Sequence, residues 1–442
     1  MLWIELIIFL ACIIIGARIG GIGMGTIAGI GLIIFVFLFR MPEGSPPVIV
    51  LGMILAVITA LASMEAAGGL DYLLGIAEKI LRKNPKSITF VAPLVTYVLI
   101  LASGTQHVIY ALLPVIAEIS RKAGIRPERP MSISVIAAMH GLIASPISAT
   151  TVALLGVLAG LQVSLPQILL IIIPSTLIAV ILGAFSVAWR GKNLADDPVY
   201  QGKLKKGLFD NSETVKKLEG KDLKRAKGST YAFFLAVLLV VIIGMFPEVR
   251  PTYEMIVNGV SQSGQIEMGN TIIILMLAMA GIIMIFFKAD AGKTVKGNIM
   301  RSGIIAVISI LGISWMGSSF FEGNRIVIID SISNVIADYQ WVFAVGLFVL
   351  SILLFSQAAT VVTLMPVGVA LGIPVPLLIA VYPAVNGYFF LPTYGPVIAA
   401  VNFDQTGTTR IGKYLVNHSF MLPGLVTTIS AVVIALLISS FI

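Results

Sequence analysis

Hydroxyl and amide side chains suited to binding a carboxylate occur in four short breaks within otherwise apolar runs of this sequence. The breaks contain no Lys or Arg, so an anion bound there would depend on neutral hydrogen-bond donors. The candidate ligand-binding residues are Ser103, Gly104, Thr105, Gln106 and His107 at the first break, Ser145, Pro146, Ser148 and Thr150 at the second, Ser356, Gln357 and Thr360 at the third, and Asn386 and Thr393 at or beside the fourth.

Each of these residue types also has a structural interpretation. Ser and Thr cap helix ends, and a capping residue can contact a ligand at the same time. Pro146 is expected to shape its break, while His107 is either a site for ligand or proton or a hydrogen-bonded structural histidine. We interpret His140 and His418 as structural. Glu65 is either a functional intramembrane acid or an interfacial residue.

Metal, disulfide, nucleotide and enzyme chemistry find little support in the sequence. Cys12 is the single cysteine, which excludes a disulfide framework, and three histidines are too few to favour a His-based metal site. No HExxH motif occurs, and the predicted spans contain no paired acidic residues. The glycine-rich segment 16–31 has no strand before it and predicts close helix packing. We therefore predict no enzyme, no metal and no cofactor.

The composition requires a membrane protein of the helical kind. Hydrophobic residues make up 58% of the 442 residues and charged residues 11%, and the mean hydropathy is +1.03. A soluble globular chain carries roughly 25% charged residues, so this chain has too few charges to cover a water-facing surface. Apolar runs of the roughly 17–25 residues that cross a bilayer as helices recur along the chain. The predicted fold is an all-α polytopic membrane protein.

The apolar runs predict the individual membrane segments. Spans are predicted at 1–16, 22–40, 48–66, 131–160 (broken at 144–148), 167–189, 230–246, 270–287, 302–318, 376–403 (broken at 391–396) and 414–441. Re-entrant helical hairpins are predicted at 87–119 and 341–371, and an amphipathic interfacial helix at 70–83. A polar segment with Glu322, Arg325, Asp330 and Asp338 is expected after 302–318, and a hydrophilic loop at 190–229.

The order of these elements repeats along the chain. Leu113-Pro114-Val115 corresponds to Met365-Pro366-Val367, and Pro146 corresponds to Pro392. Residues 1–189 form the first repeat and residues 230–442 the second, joined by the linker loop 190–229. Each half contains an odd number of spans, so the second repeat is inverted relative to the first.

The positive charges predict the orientation in the membrane. If the 190–229 loop is cytoplasmic, all 29 Lys and Arg residues except Arg40, Arg250 and Arg325 lie on the cytoplasmic side. Both termini then face outward, and the net charge of +8 is explained by orientation without a nucleic-acid partner. The basic loop is interpreted as a solvated linker, with contact to anionic membrane lipid as the alternative.

Inverted repeats with interrupted helices are typical of secondary transporters. We predict helix N-termini at residues 108, 149, 361 and 396, and each N-terminus carries roughly half a positive charge and free N–H donors. Four such N-termini suit a dianion such as a dicarboxylate. The helix C-termini at the same breaks favour cations, so sodium sites are an alternative at this stage.

Several stretches of the chain resemble the anaerobic C4-dicarboxylate transporter (Dcu) family. They are AGGLDYL (67–73), SGTQHVIYALLPVIAE (103–118), ASPISATTVALLGVL (144–158), DDPVY (196–200), FSQAAT (355–360), LPTY (391–394) and DQTGTTRIGKYLVNHSF (404–420). The resemblance runs through nearly the whole chain. Residues 107–110 are most similar to the branch tied to fumarate respiration, whereas Gln106 stands where the family pattern has a glycine.

The resemblance implies an antiporter that exchanges C4-dicarboxylates across the inner membrane of an anaerobically growing bacterium, with fumarate, malate or aspartate moving inward and succinate outward. It also implies a scaffold domain, an elevator-type transport domain made of the hairpins and broken helices, and a homodimer. A sodium- or proton-coupled dicarboxylate symporter is the alternative. Some family members are thought to regulate a membrane sensor kinase, and residues 404–413 are the candidate surface for such a partner. The alternative interpretation of this segment is a structured turn.

Overall fold

The computed structural model describes residues 2–19, 22–206, 219–257, 260–338, 341–354, 356–391, 394–412 and 417–441. These residues are mainly helical, as the composition predicts. Eight helices within them are long and apolar enough to cross a bilayer: Val48–Ala66, Pro85–Ser103, Glu128–Leu161, Leu165–Val187, Gly220–Gly244, Met268–Phe287, Ile299–Val327 and Met421–Ser439.

The helices of the first half begin and end close to the predicted segments. They are α1 (Leu2–Ile19), α2 (Gly23–Ile33, continued by a π-turn at Ile34–Leu38), α3 (Val48–Ala66), α4 (Gly69–Lys83), α5 (Ile88–Ser103), α6 (Ile109–Lys122), α7 (Glu128–Ala144), α8 (Ala149–Leu158) and α9 (Leu165–Val187). The predicted amphipathic helix is α4, and the predicted break at 144–148 separates α7 from α8.

The second half contains helices and one pair of strands. The elements are α10 (Pro198–Lys205), α11 (Gly220–Met245), β1 (Thr252–Val257), β2 (Val260–Gln265), α12 (Met268–Phe287), α13 (Ala291–Lys296), α14 (Asn298–Asp338), α15 (Trp341–Leu354), α16 (Gln357–Ala370), α17 (Val375–Val381), α18 (Gly395–Phe403) and α19 (Met421–Ser439).

The antiparallel hairpin of β1 and β2 corrects the all-α prediction. Thr252 pairs with Gln265, and the register continues to Val257 and Val260. The residues between the strands are Asn258-Gly259, which lie outside the described part of the chain. An Asn-Gly pair between two β-rich runs is the strongest short-range hairpin signal, so the sequence carried this information.

Two polar regions are more helical than predicted. α14 is one helix of 41 residues that continues through the segment containing Glu322, Arg325, Asp330 and Asp338. The predicted loop 190–229 contains α10, and α11 begins at Gly220. Glu, Lys and Arg are good helix formers, so a helix can continue past the apolar window into water. Hydropathy marks the limits of a membrane span, and these helices extend beyond them.

The last predicted span also begins later than expected. α19 starts at Met421 rather than near residue 414. Ile411 forms an isolated antiparallel bridge with His418, and the Gly412 N–H donates to the Asn417 carbonyl at 2.8 Å. These bonds pair residues 411–412 with residues 417–418 before the helix begins.

The described residues form two compact units, and each unit combines segments from both halves of the sequence. Unit 1 comprises Met1–Tyr72, Pro146–Leu169 and Leu218–Gly323, and unit 2 comprises Leu73–Ser145, Leu170–Lys217 and Asn324–Ile442. The break between α7 and α8 therefore coincides with a boundary between units. The two inverted repeats, divided by sequence order, stay a prediction.

In unit 1, glycines allow α2 and α14 to approach at backbone distance. A Cβ atom on Gly25 would overlap the Ile308 carbonyl oxygen, and one on Gly312 would overlap the backbone of Gly25. Gly29, on the same helix, has no atom of the described residues within 4 Å of such a Cβ. Small residues permit this kind of contact between membrane helices. The predicted packing role of the glycine-rich segment is thus confirmed.

Gly25→Ala is expected to lower the free energy of unfolding by about 1–3 kcal/mol, because the added methyl group has to displace the α14 backbone. Gly29→Ala is the matched control, and it should leave the free energy unchanged or raise it by up to about 1 kcal/mol, since alanine is the better helix former. Denaturant titration of the detergent-solubilised protein measures both. Equal stability of the two variants would contradict a backbone contact at Gly25.

In unit 2, α5 packs along α7, and α15 packs against the segment that follows α17. A Cβ on Gly141 of α7 would lie 2.8 Å from the Tyr97 carbonyl oxygen of α5. Tyr97 is buried, and its Oη shares a hydrogen bond with Thr176 Oγ1 of α9 at 2.8 Å. A Cβ on Gly387 would overlap the Phe348 carbonyl oxygen of α15. Each of these close contacts involves the first helix of a predicted hairpin.

Candidate functional site

The first hairpin tip lies between α5 and α6. α5 ends at Ser103 because Gly104 adopts the left-handed conformation (φ 63°), and the Gly104 N–H donates to the Ile100 carbonyl at 2.8 Å. Glycine is the residue that most readily takes this conformation at a helix C-terminus. A 3-10 turn at Gln106–Val108 leads into α6, which begins at Ile109. The predicted helix start at 108 is therefore confirmed.

The second tip lies between α15 and α16, where a serine cap starts the helix. Ser356 Oγ accepts a hydrogen bond from the Ala359 N–H at 3.2 Å, and Thr360 Oγ1 donates to the Ser356 carbonyl at 2.7 Å. α16 therefore begins at Gln357, and the predicted start at 361 was one turn too late. Ser356 and Thr360 are both residues that cap helices, and the sequence did not distinguish between them.

The fourth break is longer than predicted. α17 ends at Val381, Tyr382–Phe389 continues as a fully buried 3-10 helix, and α18 begins at Gly395. Pro383 has no N–H to continue the α-helical bonding pattern. Ser351 Oγ of α15 accepts a hydrogen bond from the Gly387 N–H at 2.8 Å. The break predicted at 391–396 therefore extends back to residue 382.

Gln106 of the first tip connects this 3-10 helix to the start of α18. Gln106 Nε2 donates to Tyr388 Oη at 2.5 Å, and Tyr394 Oη donates to Gln106 Oε1. The two phenol rings pack edge to face, with ring centroids 4.6 Å apart. The amide of Gln106 is thus held at both of its polar atoms.

Gln357 of the second tip binds the same 3-10 helix two residues away. Gln357 Nε2 donates to Asn386 Oδ1 and, at 2.9 Å, to the Met139 carbonyl of α7. Because Gln357 is the first residue of α16, the positive end of that helix dipole lies beside this pair. The structure therefore brings three predicted residues together at the buried 3-10 helix Tyr382–Phe389: Asn386 belongs to it, and Gln106 and Gln357 contact it.

Asn386 contributes a side-chain donor, Nδ2, to this site. The side chain is fully buried, and Nδ2 has no hydrogen-bond partner among the described residues. A buried polar group without a partner costs about 1–3 kcal/mol, and a ligand that accepts its hydrogen bond removes that cost. The amides and phenols of this neutral cluster, defined as Gln106, Gln357, Asn386, Tyr388 and Tyr394, carry no formal charge at neutral pH.

The sequence reasoning missed the tyrosines of the neutral cluster. Tyr394 lies within the LPTY stretch that supports the family resemblance, but Tyr388 lies in an apolar run with no local signal. Tyr110 of α6 is also close to the cluster, because a Cβ on Gly395 would overlap its hydroxyl oxygen. A glycine at position 395 therefore leaves room for the Tyr110 hydroxyl at the start of α18.

The remaining predicted site residues fall into three groups. Ser103, Thr105 and Ser145 are buried in unit 2, and Ser103 Oγ donates to the Thr105 carbonyl at 3.4 Å. Pro146, Ser148 and Thr150 belong to unit 1, where Ser148 Oγ caps α8 by accepting from the Thr151 N–H at 3.1 Å. The side chain of His107 and all of Thr393 lie outside the described residues.

Glu65 and the two described histidines have structural partners. Glu65 Oε2 accepts a hydrogen bond from the Ile299 N–H at 3.4 Å, at the start of α14. His140 is fully buried, and its Nδ1 is 3.0 Å from the Ile136 carbonyl of the same helix. The described residues include no group of three or more His, Cys, Asp or Glu that could hold a metal ion.

A network of buried charges occupies the start of α7, at the opposite end of that helix from its break. Arg126 Nε donates to Glu128 Oε2 at 2.7 Å, and Arg126 Nη1 donates to Asp197 Oδ2 at 2.9 Å. Glu128 Oε1 accepts from Ser419 Oγ at 2.7 Å. Arg126 is 9% exposed and Glu128 is 6% exposed, so this ion pair is shielded from water. The network joins α7 to the DDPVY stretch and to the turn before α19.

The loop after α18 binds the same network through a buried carboxylate. The Glu128 N–H donates to Thr408 Oγ1 at 3.1 Å, and Thr408 Oγ1 donates to Asp404 Oδ2 at 2.8 Å. Asp404 also accepts from the backbone N–H groups of Thr406, at 2.9 Å, and Thr409, at 2.6 Å. These bonds satisfy the Asp404 carboxylate and support the structured-turn interpretation of the 404–413 segment.

His418 is a neutral member of this region. The Phe420 N–H donates to His418 Nδ1 at 3.2 Å, so Nε2 carries the proton and donates to the Phe390 carbonyl at 3.1 Å. Burial lowers the pKa of His418, the Phe390 carbonyl opposes this effect, and the positive charge of Arg190 lowers the pKa further. The structural interpretation of His418 is supported by these bonds.

Comparison with known proteins identifies the family. The profile of a family described as "Anaerobic c4-dicarboxylate membrane transporter" matches residues 1–442 of this chain. The chain belongs to this family. It is 40% identical to the C4-dicarboxylate transporter DcuA of Escherichia coli (strain K12) over 442 residues, covering 100% of each chain. It is 39% identical over 435 residues to the Anaerobic C4-dicarboxylate transporter DcuB of Escherichia coli O6:H1, covering 96% of this chain and 95% of that one.

The fold of this Dcu-family chain also resembles that of a solved structure. The fold is similar to that of the Alcanivorax borkumensis YdaH transporter, with a TM-score of 0.58, 14% sequence identity and coverage of 89% of this chain and 85% of that one. The predicted family resemblance is confirmed. Membership of a family of transporters also confirms that the chain is not an enzyme and, with its apolar helices, that it is a multi-pass membrane protein.

Proposed function

We propose that this chain is a secondary active transporter that exchanges C4-dicarboxylates across the bacterial inner membrane, with fumarate, malate or aspartate moving inward and succinate outward. The observation that carries the proposal is the neutral cluster, where two hairpin tips and an unwound segment present amide and hydroxyl groups without a formal charge. The relatives are named C4-dicarboxylate transporters, which supports this substrate class.

The chemistry of the neutral cluster suits reversible binding of a dianion. A carboxylate accepts hydrogen bonds, and Asn386 Nδ2 is a buried donor without a partner among the described residues. The N-terminus of α16 at Gln357 adds partial positive charge beside it. Neutral donors stabilise the anion less than a buried Lys or Arg would, so the ligand can leave on the other side of the membrane.

The same unpartnered donor favours exchange over one-way transport. When no ligand is bound, each buried donor without a partner costs about 1–3 kcal/mol. When the site is open, water can accept a hydrogen bond from this donor. Closing the empty site removes that water and carries the cost, whereas a bound dicarboxylate takes the place of the water. We therefore expect the loaded site to change its accessibility faster than the empty site, which is the condition for obligatory exchange.

Counterflow in proteoliposomes tests the proposal directly. Vesicles loaded with unlabelled succinate are expected to accumulate labelled fumarate without sodium, while vesicles with an empty lumen accumulate little. Dianion exchange is electroneutral, so uptake should not respond to an imposed membrane potential. Equal uptake by loaded and empty vesicles would refute exchange.

A sodium- or proton-coupled symporter is the second candidate function. The C-terminus of α5 at Ser103 presents backbone carbonyl groups near the first tip, and such groups suit a cation. A symporter would require sodium or a proton gradient for uptake into empty vesicles. The same counterflow experiment, repeated with each gradient, distinguishes the two functions.

The proposal includes an inverted-repeat architecture with an elevator-type transport domain, assembled as a homodimer with both termini in the periplasm. The distribution of Lys and Arg supports this orientation. A periplasmic C-terminus predicts that Ser440→Cys, on a Cys12→Ser background, reacts with a maleimide that cannot cross the inner membrane. The reagent is added to cells whose outer membrane is permeabilised and whose inner membrane is intact. A solution mass equal to one 47.0 kDa chain would refute the dimer.

A further inference from the structure

A cleft of about 660 Å³ lies within unit 1 and contains none of the residues of the neutral cluster. The segment 155–164 and four helices line it: α3, α9 and α12 at their starts and α11 at its end. All four of these helices are long enough to cross the bilayer, and membrane spans end at the level of the lipid headgroups. The cleft is therefore placed where a lipid molecule has its headgroup at the rim and an acyl chain below it.

The floor of the cleft is apolar. Met53, Leu155 and Leu165 are buried there, and Ile243 and Met268 complete the lining on the α11 and α12 sides. A volume of about 660 Å³ falls within the range of small-molecule pockets, roughly 300–1,000 Å³. Beyond the end of α11, Phe246 and Val249 are 52% and 60% exposed. Such a surface is suited to contact with hydrocarbon.

Two opposite charges stand at the rim. Arg250 and Glu267 both line the cleft, and Arg250 Nη1 donates to the Ile266 carbonyl at 3.3 Å, which places the guanidinium beside the residue that precedes Glu267. Gln265 Nε2 donates to the Arg250 carbonyl at 3.2 Å and ties Arg250 to the end of β2. The rim thus presents a cation and an anion next to each other.

We propose that this cleft binds a phospholipid with an ethanolamine headgroup, whose phosphate lies at Arg250 and whose primary ammonium lies at Glu267. Arginine is well suited to phosphate oxygens, and an ammonium donates charge-assisted hydrogen bonds to a carboxylate. A choline headgroup has no N–H to donate to Glu267. A glycerol headgroup has no positive charge to offset the carboxylate. The acyl chain fills the apolar floor.

Native mass spectrometry of the full-length protein in detergent tests this proposal with three lipids of identical acyl chains. Phosphatidylethanolamine is expected to bind roughly tenfold more tightly than phosphatidylcholine or phosphatidylglycerol, the ratio expected from one charge-assisted hydrogen bond. Glu267→Gln should abolish the preference for ethanolamine over choline. Arg250→Gln should weaken the binding of all three lipids by a similar factor.

A second pair of variants tests the position of the acyl chain. Gly160 lines the cleft, and no atom in the described part of the chain lies within 4 Å of a Cβ placed there. Gly160→Phe therefore fills the cleft without a backbone clash. Gly29→Phe is the control in unit 1, at a position outside the lining that is equally open. Gly160→Phe should lose bound lipid and Gly29→Phe should retain it. Equal affinity for the three lipids, or equal lipid binding by the two phenylalanine variants, would overturn the proposal.

Discussion

Asn386→Asp is expected to weaken binding of fumarate and succinate by at least roughly tenfold. A hydrogen bond between a neutral donor and a charged acceptor contributes about 1.5–3 kcal/mol, and about 1.4 kcal/mol corresponds to tenfold in affinity. The substitution removes the unpartnered Nδ2 donor and introduces a carboxylate that repels a dianion. The apparent affinity is measured by competition of unlabelled succinate against labelled fumarate in the counterflow assay.

The aspartate variant separates ligand binding from a structural role. The new side chain retains an oxygen that can accept the hydrogen bond from Gln357 Nε2, so the contact between α16 and the 3-10 helix is preserved. Asn386→Leu removes both the donor for the ligand and the acceptor for Gln357 Nε2. It therefore shows how much transport is lost when the contact between α16 and the 3-10 helix is also lost. If Asn386 only holds the 3-10 helix in place, Asn386→Asp should transport like the native protein while Asn386→Leu should not.

Thr363→Val is the matched control for this experiment. Thr363 lies on α16, and its Oγ1 is buried without a hydrogen-bond partner among the described residues, as Asn386 Nδ2 is. Valine has nearly the same shape, so the packing of the helix is kept. Unchanged affinity in Thr363→Val, together with a large loss in Asn386→Asp, would assign the effect to the neutral cluster.

Arg126→Met is expected to lower the free energy of unfolding by about 3–5 kcal/mol, because removing one partner of a buried ion pair leaves an uncompensated charge. Arg126 bridges Glu128 and Asp197, so its loss removes the ion pair of Asp197 and leaves Glu128 with the more distant Arg190, whose Nε lies 3.7 Å from Glu128 Oε1. Denaturant titration in detergent provides the measurement. A loss below about 1 kcal/mol would show that water reaches these carboxylates.

Lys122→Met is the control for the buried pair. Lys122 also pairs with a carboxylate, that of Glu118, but its side chain is 53% exposed. Exposed ion pairs contribute about 0–1 kcal/mol, since water already solvates both charges. Both variants lose an ion pair, but only Arg126→Met loses a buried one. A larger loss in the free energy of unfolding for Arg126→Met than for Lys122→Met therefore measures the effect of burial.

Substitutions in the buried charge network should affect transport differently from substitutions in the neutral cluster. The network fixes the start of α7 and the loop after α18, whereas Met139 of α7 and Tyr394 before α18 contact Gln357 and Gln106. We expect Arg126→Met to reduce the maximal rate and the amount of folded protein more than the affinity. Asn386→Asp should reduce the affinity more than the maximal rate or the amount of folded protein.

Local sequence signals predicted much of the fold. Apolar runs marked the spans, Gly104 marked the end of α5, and Ser356 was available as the cap of α16. Asn258-Gly259 also marked a hairpin, although the high hydropathy of the chain favoured an all-α interpretation. The longer helices α11 and α14 were missed because low hydropathy marks the end of a membrane span without ending a helix. In α11 the residues before the span include Lys and Arg, which are favourable in helices.

Local signals did not predict the partners of the site residues. Gln106 and Tyr388 are separated by 282 residues, and Glu128 and Ser419 by 291. Tyr388 lies in a run whose hydropathy resembles any membrane span, and its role depends on the close packing of α15 against Gly387. Such a contact exists only after the helices have packed.

The sequence by itself determined the membrane class of this protein, the positions of most helices and breaks, the family, and the amide and hydroxyl residues at the hairpin tips. These properties depend on hydropathy, capping and motifs, which act over a few neighbouring residues. The tertiary structure decided that Gln106 and Gln357 meet one 3-10 helix and that Arg126 and Glu128 are buried. It also decided that Asn386 Nδ2 has no partner in the described part of the chain. These properties depend on packing between distant segments, where burial determines how strongly each polar group interacts.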